Sequence, residues 1–444
     1  MGNSSSSSSS SSTPSDRREG TAPRPASASE PPDFAAGEYE EGPPRGRSMS
    51  YWEMAKVGYQ ELVNAIIRPP RAEYLPEQLG PTEFTFGGHQ FTRTDFELTN
   101  ERGMKIQCSH WEPVERKAVT LPCVIYMHGN ASARPEALSQ LALCLSLGAT
   151  MVAFDFCGSG LSEGDWVSLG YFEREDLKVV VEHLRASDSV STIALWGRSM
   201  GAATALLHGD RDPSIAAMVL DSPFADLNQL AEEMVDKGRQ QGLTVPGFVV
   251  GIAIRMIRSS VQKQAGFNVR DLSPAAHADR CFIPALFVAG EDDDFIAPHH
   301  AQQIHDKYAG DKNFVKVAGD HNSSRPRFLY DSAAIFLQTC LQIPDGWALT
   351  GVDAYNHGSP PWYSSALDMY RGMDLGMTRQ RQMETQQAVY GMLSGGTFQD
   401  PRNSGAPAVG PAPTGPGTPW ACVVCTLVNG PTAAFCAACR NPAP

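Results

Sequence analysis

Hydrophobic and polar positions along this chain of 444 residues follow two periods, and the switches between them mark its elements. From Met49 to Ile67 the apolar residues Trp52, Ala55, Tyr59, Leu62, Val63 and Ile66 recur every three or four positions. That spacing predicts a helix, which Pro69 and Pro70 stop. Residues 91–98 and 103–111 read as an antiparallel strand pair. A unit then repeats: a short apolar strand, a Gly-rich turn, a helical stretch. Its strands fall at residues 122–127, 150–156, 192–196, 216–220, 284–288 and 314–317. Strand–helix alternation at this rhythm predicts the α/β class with a doubly wound, mostly parallel sheet. Residues 221–283 carry two helical patterns and are long for a connection, which predicts a short helical lid. A helix over 332–341 closes the domain.

Composition adds boundaries. The 40 glycines and 33 prolines concentrate towards the two ends, and 42 % apolar residues suffice for one sizeable core. Residues 1–47 are rich in Ser, Pro and Gly and are expected to be disordered. The folded domain is expected over 48–342, a largely flexible linker over 343–419 and a compact terminus over 420–444. Within the linker, 366–393 has helical spacing with Met369, Tyr370, Met373 and Met377 on one face. It reads as a helix packed on the body or fraying, with an adaptable partner surface as the other reading. A net charge of −13 argues against nucleic acid as a partner, since phosphate binding needs clustered cations. Residues 1–50 lack the apolar run of a secretory signal, and the apolar stretch 245–257 is too short to span a bilayer. Of ten cysteines, four crowd the end and six stand singly in apolar segments. Reduced core thiols plus a metal site on the cytoplasmic side is the reading that follows.

The candidate chemistry centres on one strand. Thr192-Ile193-Ala194-Leu195-Trp196 runs into Gly197-Arg198-Ser199-Met200-Gly201, followed by a helical Ala-Ala-Thr-Ala-Leu-Leu. This is G-x-S-x-G in the strand–turn–helix context that exposes a nucleophilic serine at the top of an α/β-hydrolase sheet. Serine needs a base that an acid orients, in the chain order Ser, Asp or Glu, His. The acid is expected after the next-to-last strand, in Glu291-Asp292-Asp293-Asp294. Asp293 is preferred because it stands three residues after the turn Gly290 and just before the apolar Phe295-Ile296 that re-enters the core, and Asp294 is the alternative. The base is His321, just past the last strand. His299, His300 and His305 follow the acid loop on a helix and are read as surface residues. An oxyanion needs two backbone donors. One is expected from Met200, and the other from Asn130, or Ala131 as second choice, in the loop Tyr126-Met127-His128-Gly129-Asn130-Ala131.

His128-Gly129-Asn130, Asp155-Phe156 with Gly158-Ser159-Gly160-Leu161-Ser162, the Ser199 turn, Ser222-Pro223-Phe224-Ala225-Asp226-Leu227 and Gly319-Asp320-His321-Asn322 together resemble the serine aminopeptidase-like group of α/β-hydrolases. The leading segment Ile67-Arg68-Pro69-Pro70-Arg71-Ala72-Glu73-Tyr74 resembles theirs as well. The resemblance covers about residues 60–342 and implies a small-lid esterase, thioesterase, lipase or aminopeptidase-like enzyme acting on an acyl-containing substrate. The group includes membrane-bound protein depalmitoylases, whose cysteine-rich amino terminus is not matched here. The fold hosts many reactions, so the bond cleaved stays open.

At the other end, Cys422-x2-Cys425 and Cys436-x2-Cys439 have the spacing of two knuckles that hold one structural Zn²⁺ in a closed tetrahedral site. So short a segment folds only with the metal. With Trp420 and Asn429 it resembles a Ran-binding-protein-type zinc finger. The resemblance implies protein binding, with ubiquitin favoured and Thr426, Leu427 and Ala438 at the contact positions. Two of these depart from the ubiquitin-binding pattern: Leu427 stands where Phe is usual, and Ala438 is small.

Met1-Gly2-Asn3-Ser4-Ser5-Ser6 fits an N-myristoylation signal on Gly2, which predicts a cytoplasmic, peripherally membrane-bound chain. One myristoyl chain anchors only marginally, so a second contact is required. The helix over 49–67, with Arg45, Arg47, Lys56, Arg68 and Arg71 near it, either meets an anionic leaflet or packs on the body. The rival to an acyl hydrolase is a catalytically idle, membrane-tethered adaptor that presents the zinc finger.

Overall fold

In a computed structural model of the chain, residues 51–240, 247–349, 359–362, 420–421 and 428–429 are described. Gly2, the segment 366–393, Cys422, Cys425, Thr426, Leu427, Cys436, Ala438 and Cys439 lie outside them.

The chain opens with α1 (Tyr51–Ile67) and then builds the strands β1 (Glu83–Phe86), β2 (His89–Thr99) and β3 (Lys105–Pro113), all paired antiparallel. The α/β units follow: β4 (Leu121–Met127), α2 (Leu138–Ser146), β5 (Thr150–Phe154), α3 (Glu173–Ala186), β6 (Val190–Arg198), α4 (Met200–Gly209) and β7 (Ala217–Asp221). The insertion supplies α5 (Leu227–Gln240) and α6 (Gly247–Ala265), and β8 (Ala285–Gly290), α7 (Pro298–Lys307), β9 (Lys312–Val317) and α8 (Arg327–Cys340) complete the domain. The strands form one sheet in the order β1-β2-β3-β5-β4-β6-β7-β8-β9, parallel from β5 to β9.

Two departures from the periodicity have local causes. The short β1 was not expected, since four residues carry too little alternation to read. The last helix begins at Arg327 rather than at 332, because Pro326 stands before it and Leu329 and Tyr330 are already buried.

Both faces of the sheet are covered, which is why its inner strands are apolar over most of their length. Val124, Tyr126, Ala194, Trp196, Val219 and Val288 meet α2 and α8 on one side. Ile125, Met127, Leu195, Leu220 and Phe287 meet α3, α4 and α7 on the other. The insertion has a separate core: Leu227, Leu230 and Met234 of α5, Val261 of α6, Phe224, Phe267 and Ile296 close around Ala203 and Leu207 of α4. Val63 and Ile67 belong to that same cluster. The Tyr59 and Ser260 hydroxyls lie 2.6 Å apart, and Gln60 donates to Gln264 (3.2 Å). Of the two readings of α1, packing on the body is the one observed. Arg68 lies over the Trp166 ring, and Arg71 donates to the carbonyls of Gly158, Ser162 and Gly164. No helix among the described residues is long and apolar enough to cross a membrane. Their six cysteines are unpaired, five of them buried, and burial pushes the Cys123 thiol up to about 12.

Candidate active site

Chain order along the sheet reverses around β4, whose neighbours are β5 and β6, and the crevice at such a switch point is where open α/β sheets place their ligands. Ser199 stands there, between the end of β6 and the start of α4, with φ 52° and ψ −113°. Left-handed backbone at a non-glycine residue costs about 1–3 kcal/mol and needs enforcement by its surroundings. Its N–H donates to the Asp221 carbonyl of β7 (2.7 Å), and its carbonyl accepts from Ala203 (3.0 Å). The flanking glycines are dictated by space. A Cβ on Gly197 would lie 2.3 Å from the Gly201 backbone, and one on Gly201 would lie 2.2 Å from the Met127 carbonyl oxygen.

The candidate acid and base arrive from β8 and β9, beyond β7. Asp293, buried beyond β8, accepts the N–H groups of Phe295 (3.1 Å) and Ile296 (2.8 Å) through Oδ1. Its Oδ2 lies 2.6 Å from Nδ1 of His321. A carboxylate only accepts, so Nδ1 carries the imidazole proton and the Nε2 lone pair faces the Ser199 Oγ, 3.1 Å away. The edge of Phe295 packs on the imidazole, with ring centroids 5.3 Å apart. Asp294 is exposed, and its carbonyl accepts the Lys237 ammonium of α5. Of the two candidate acids, the structure brings Asp293 to His321.

The other rim of the crevice follows β4. Phe156 N–H donates to His128 Nε2 (3.1 Å), so the ring is protonated at Nδ1 and donates to the Gly129 carbonyl (2.8 Å). Gly129 and Ser132 close a turn (3.2 Å) that carries Asn130 and Ala131 at its tip, with Ala131 at φ 57°. Met200 is the first residue of α4 and therefore has no intrahelical acceptor for its N–H. Register pairs Met127 with Gly197, which sets the Asn130 loop beside the serine turn. This rim hangs on Asp155 at the end of β5. Its carboxylate accepts from Arg134 N–H (2.7 Å), Tyr74 hydroxyl (2.6 Å) and Leu161 N–H (2.9 Å). Burial and then the neighbouring Asp155 push the Tyr74 phenol far above its ordinary value.

Surface placement holds for His299 but not for His300, whose side chain is fully buried. The insertion caused this: α5 brings Glu233 against both, with Nε2 of His299 at 2.9 Å and of His300 at 3.0 Å. Ala225 N–H donates to Nδ1 of His300 (3.3 Å), so Nε2 holds the proton and donates to Glu233. Although these three side chains lie as close as metal ligands do, that tautomer occupies both ring nitrogens and speaks for a hydrogen-bonded clasp between α5 and α7. Arg198 and Arg325, which the motif reading passed over, both contact the loop that carries His321.

The family described as Serine aminopeptidase, S33 matches residues 123–270. An uncharacterized Bacillus subtilis protein, YqkD, is 28 % identical over 240 residues, covering 53 % of this chain and 75 % of its own length. The rat lysophosphatidylserine lipase ABHD12 is 25 % identical over 199 residues, which cover 44 % of this chain and 47 % of the lipase. This chain thus spans under half the length of that relative. Among solved structures, the Pyrococcus furiosus esterase Pf2001 has 20 % sequence identity and a TM-score of 0.47, covering 62 % of this chain and 98 % of the esterase. The chain is a serine hydrolase with an α/β-hydrolase fold.

Proposed function

We propose that the chain hydrolyses acyl esters through an acyl-enzyme on Ser199, and the hydrogen-bonded relay Ser199–His321–Asp293 is the observation that carries this reading. Ser199 Oγ attacks the substrate carbonyl while Nε2 of His321 takes its proton. Asp293 holds the tautomer and stabilises the imidazolium that forms. The N–H groups of Met200 and Asn130 receive the oxyanion. The imidazolium then protonates the leaving alcohol, and water activated by His321 releases the acid. A relay with all three members in hydrogen-bond contact speaks against the idle adaptor.

The lipase-named relative supports a lysophospholipid-type acyl ester as first choice, with thioesters and amides as the other arms of a substrate panel. Labelling by a fluorophosphonate probe tests the reading. Wild type should react and Ser199→Ala should not; equal behaviour of the two rejects it.

The flanks direct this activity in our reading. Cys422, Cys425, Cys436 and Cys439 hold Zn²⁺, which supplies folding energy and takes no part in the reaction. Support comes from the two-residue strands Trp420–Ala421 and Val428–Asn429, which pair antiparallel. The finger binds ubiquitin through Thr426, Leu427 and Ala438, and titration of the full chain should show it below millimolar concentration. Myristate on Gly2 makes the chain a peripheral membrane protein on the cytoplasmic side. Intact mass after expression with an N-myristoyltransferase tests that step.

A further inference from the structure

We propose that Arg325 and Arg198 are positioning residues that hold His321 in register with Ser199; the proposal rests on the reading of Ser199 as nucleophile. The need for them follows from the sheet order. His321 follows β9, which among the described residues pairs only with β8, while Ser199 follows β6. Three strand spacings separate those strands, about 14 Å. The imidazole must therefore reach back over β8 and β7 from a loop, residues 318–326, hung on an edge strand. The bond to Asp293 orients the ring but leaves the loop itself to be placed.

Arg325 does this with all five of its N–H donors. Nε donates to Asp221 Oδ2 (2.9 Å), and Nη2 donates to Asp221 Oδ1 (2.8 Å) and Ser222 Oγ (3.1 Å). Nη1 donates to the carbonyls of Asp320 (3.1 Å) and Ser323 (3.4 Å), on either side of His321. The same Asp221 accepts the Ser199 N–H through its carbonyl. One residue of β7 thus ties the nucleophile by its backbone and the histidine loop by its side chain. Burial alone would raise the Asp221 carboxyl, but the Arg325 and Arg198 guanidinium groups outweigh it and hold the group below its ordinary value.

Arg198 works from the other side. Its Nη2 donates to the His321 carbonyl (2.7 Å) and to Asn322 Oδ1 (3.0 Å). Nη1 lies 3.8 Å from Glu136, which accepts the Gly129 N–H (3.3 Å) and the Tyr126 hydroxyl (2.8 Å). The residue before the nucleophile therefore joins the histidine loop to the loop that carries Asn130. Neither guanidinium is bonded to Ser199 or to the imidazole, so each acts through His321.

The test is steady-state hydrolysis of a p-nitrophenyl ester by the full chain, with fluorophosphonate labelling rates beside it. Misplacing a reacting group by about 1 Å costs roughly 10²-fold in rate. Arg325→Gly should lower kcat by about that factor, leave KM within about twofold, and recover at least tenfold when guanidinium is added. A lysine carries one ammonium and lacks the five-donor fork, so Arg325→Lys should stay low. Arg198→Lys should keep most of the activity, because its main bond to the His321 carbonyl needs a single donor. If Arg325→Gly fails to fold, Arg198→Met carries the test, and a kcat loss of at least tenfold at unchanged KM is then required. Folded Arg325→Gly and Arg198→Met variants with kcat and labelling within threefold of wild type overturn the proposal alone. A wild-type chain that the probe does not label overturns the nucleophile reading, and the proposal falls with it.

Discussion

Two loops face each other across the Ser199 crevice, and each is held by a buried Arg–Asp pair used in the opposite sense. On the side of the Asn130 loop Asp155 is the hub. Its carboxylate is wholly buried and gathers the N–H groups of Arg134 and Leu161, the Tyr74 hydroxyl and the Arg134 guanidinium. On the histidine side Arg325 is the hub, gathering carbonyls of Asp320 and Ser323 along with Asp221. A loop that turns its N–H groups inward is held by an acid. One that turns its carbonyls inward is held by a base. The Asn130 loop also lies nearer the centre of the sheet, after β4, whereas the His321 loop follows the edge strand β9. The first pair should therefore matter mainly for stability and the second mainly for rate.

Substitutions can break that contrast, beginning with the largest effect. Asp293→Asn offers the imidazole the wrong partner and should lower kcat by the order of 10⁴-fold, with Asp294→Asn within about twofold of wild type in the same ester assay. Equal losses in the two would undo the assignment of the acid. Asp155→Ala should cost about 3–5 kcal/mol in urea unfolding, because it strands the Arg134 charge in the interior. A fall in kcat without that loss of stability would reverse the roles of the two loops. Tyr74→Phe removes one hydroxyl from the Asp155 cluster and should cost about 1–3 kcal/mol, with the rate of fluorophosphonate labelling nearly unchanged.

The last effect is a pH slope that belongs to neither loop. Burial, the largest cause, drives His110 of β3 down from 6.5 to about 4. Between those values the unfolded chain binds a proton that the folded chain refuses, so stability falls as pH falls through that window. The slope is at most about 1.4 kcal/mol per pH unit, and His110→Gln should flatten it in urea titrations. Asp221, held below its ordinary value, lends stability that is lost only in more acidic solution. If His110→Gln leaves the slope between 6.5 and 4 intact, its source lies elsewhere in the fold.

Much of the site was legible because its constraints are local. Gly197 and Gly201 are required by contacts within the same turn and with the adjacent β4, so the motif carries its own geometry. The strand ends that bear Asp293 and His321 could be counted off from the strand–helix rhythm. His300 was misjudged because its burial comes from α5, in a distant insertion, and nothing in Pro298-His299-His300-Ala301 announces that cover. Arg198 sat unnoticed inside the G-x-S-x-G itself, at a position the motif leaves free.

The sequence by itself determined the order of elements, the strand–turn–helix geometry around Ser199 and the single histidine at the end of β9. Each depends on periodicity or on backbone sterics over a few neighbouring residues. Only the tertiary structure decided between Asp293 and Asp294, docked α1 on α6, and recruited Arg325 from beyond the last strand. Those outcomes depend on partners far apart in the chain: His321 lies 28 positions from Asp293 and 122 from Ser199. Which of several like residues meets such a partner is set by sheet register and loop path, and those exist only once the chain has folded.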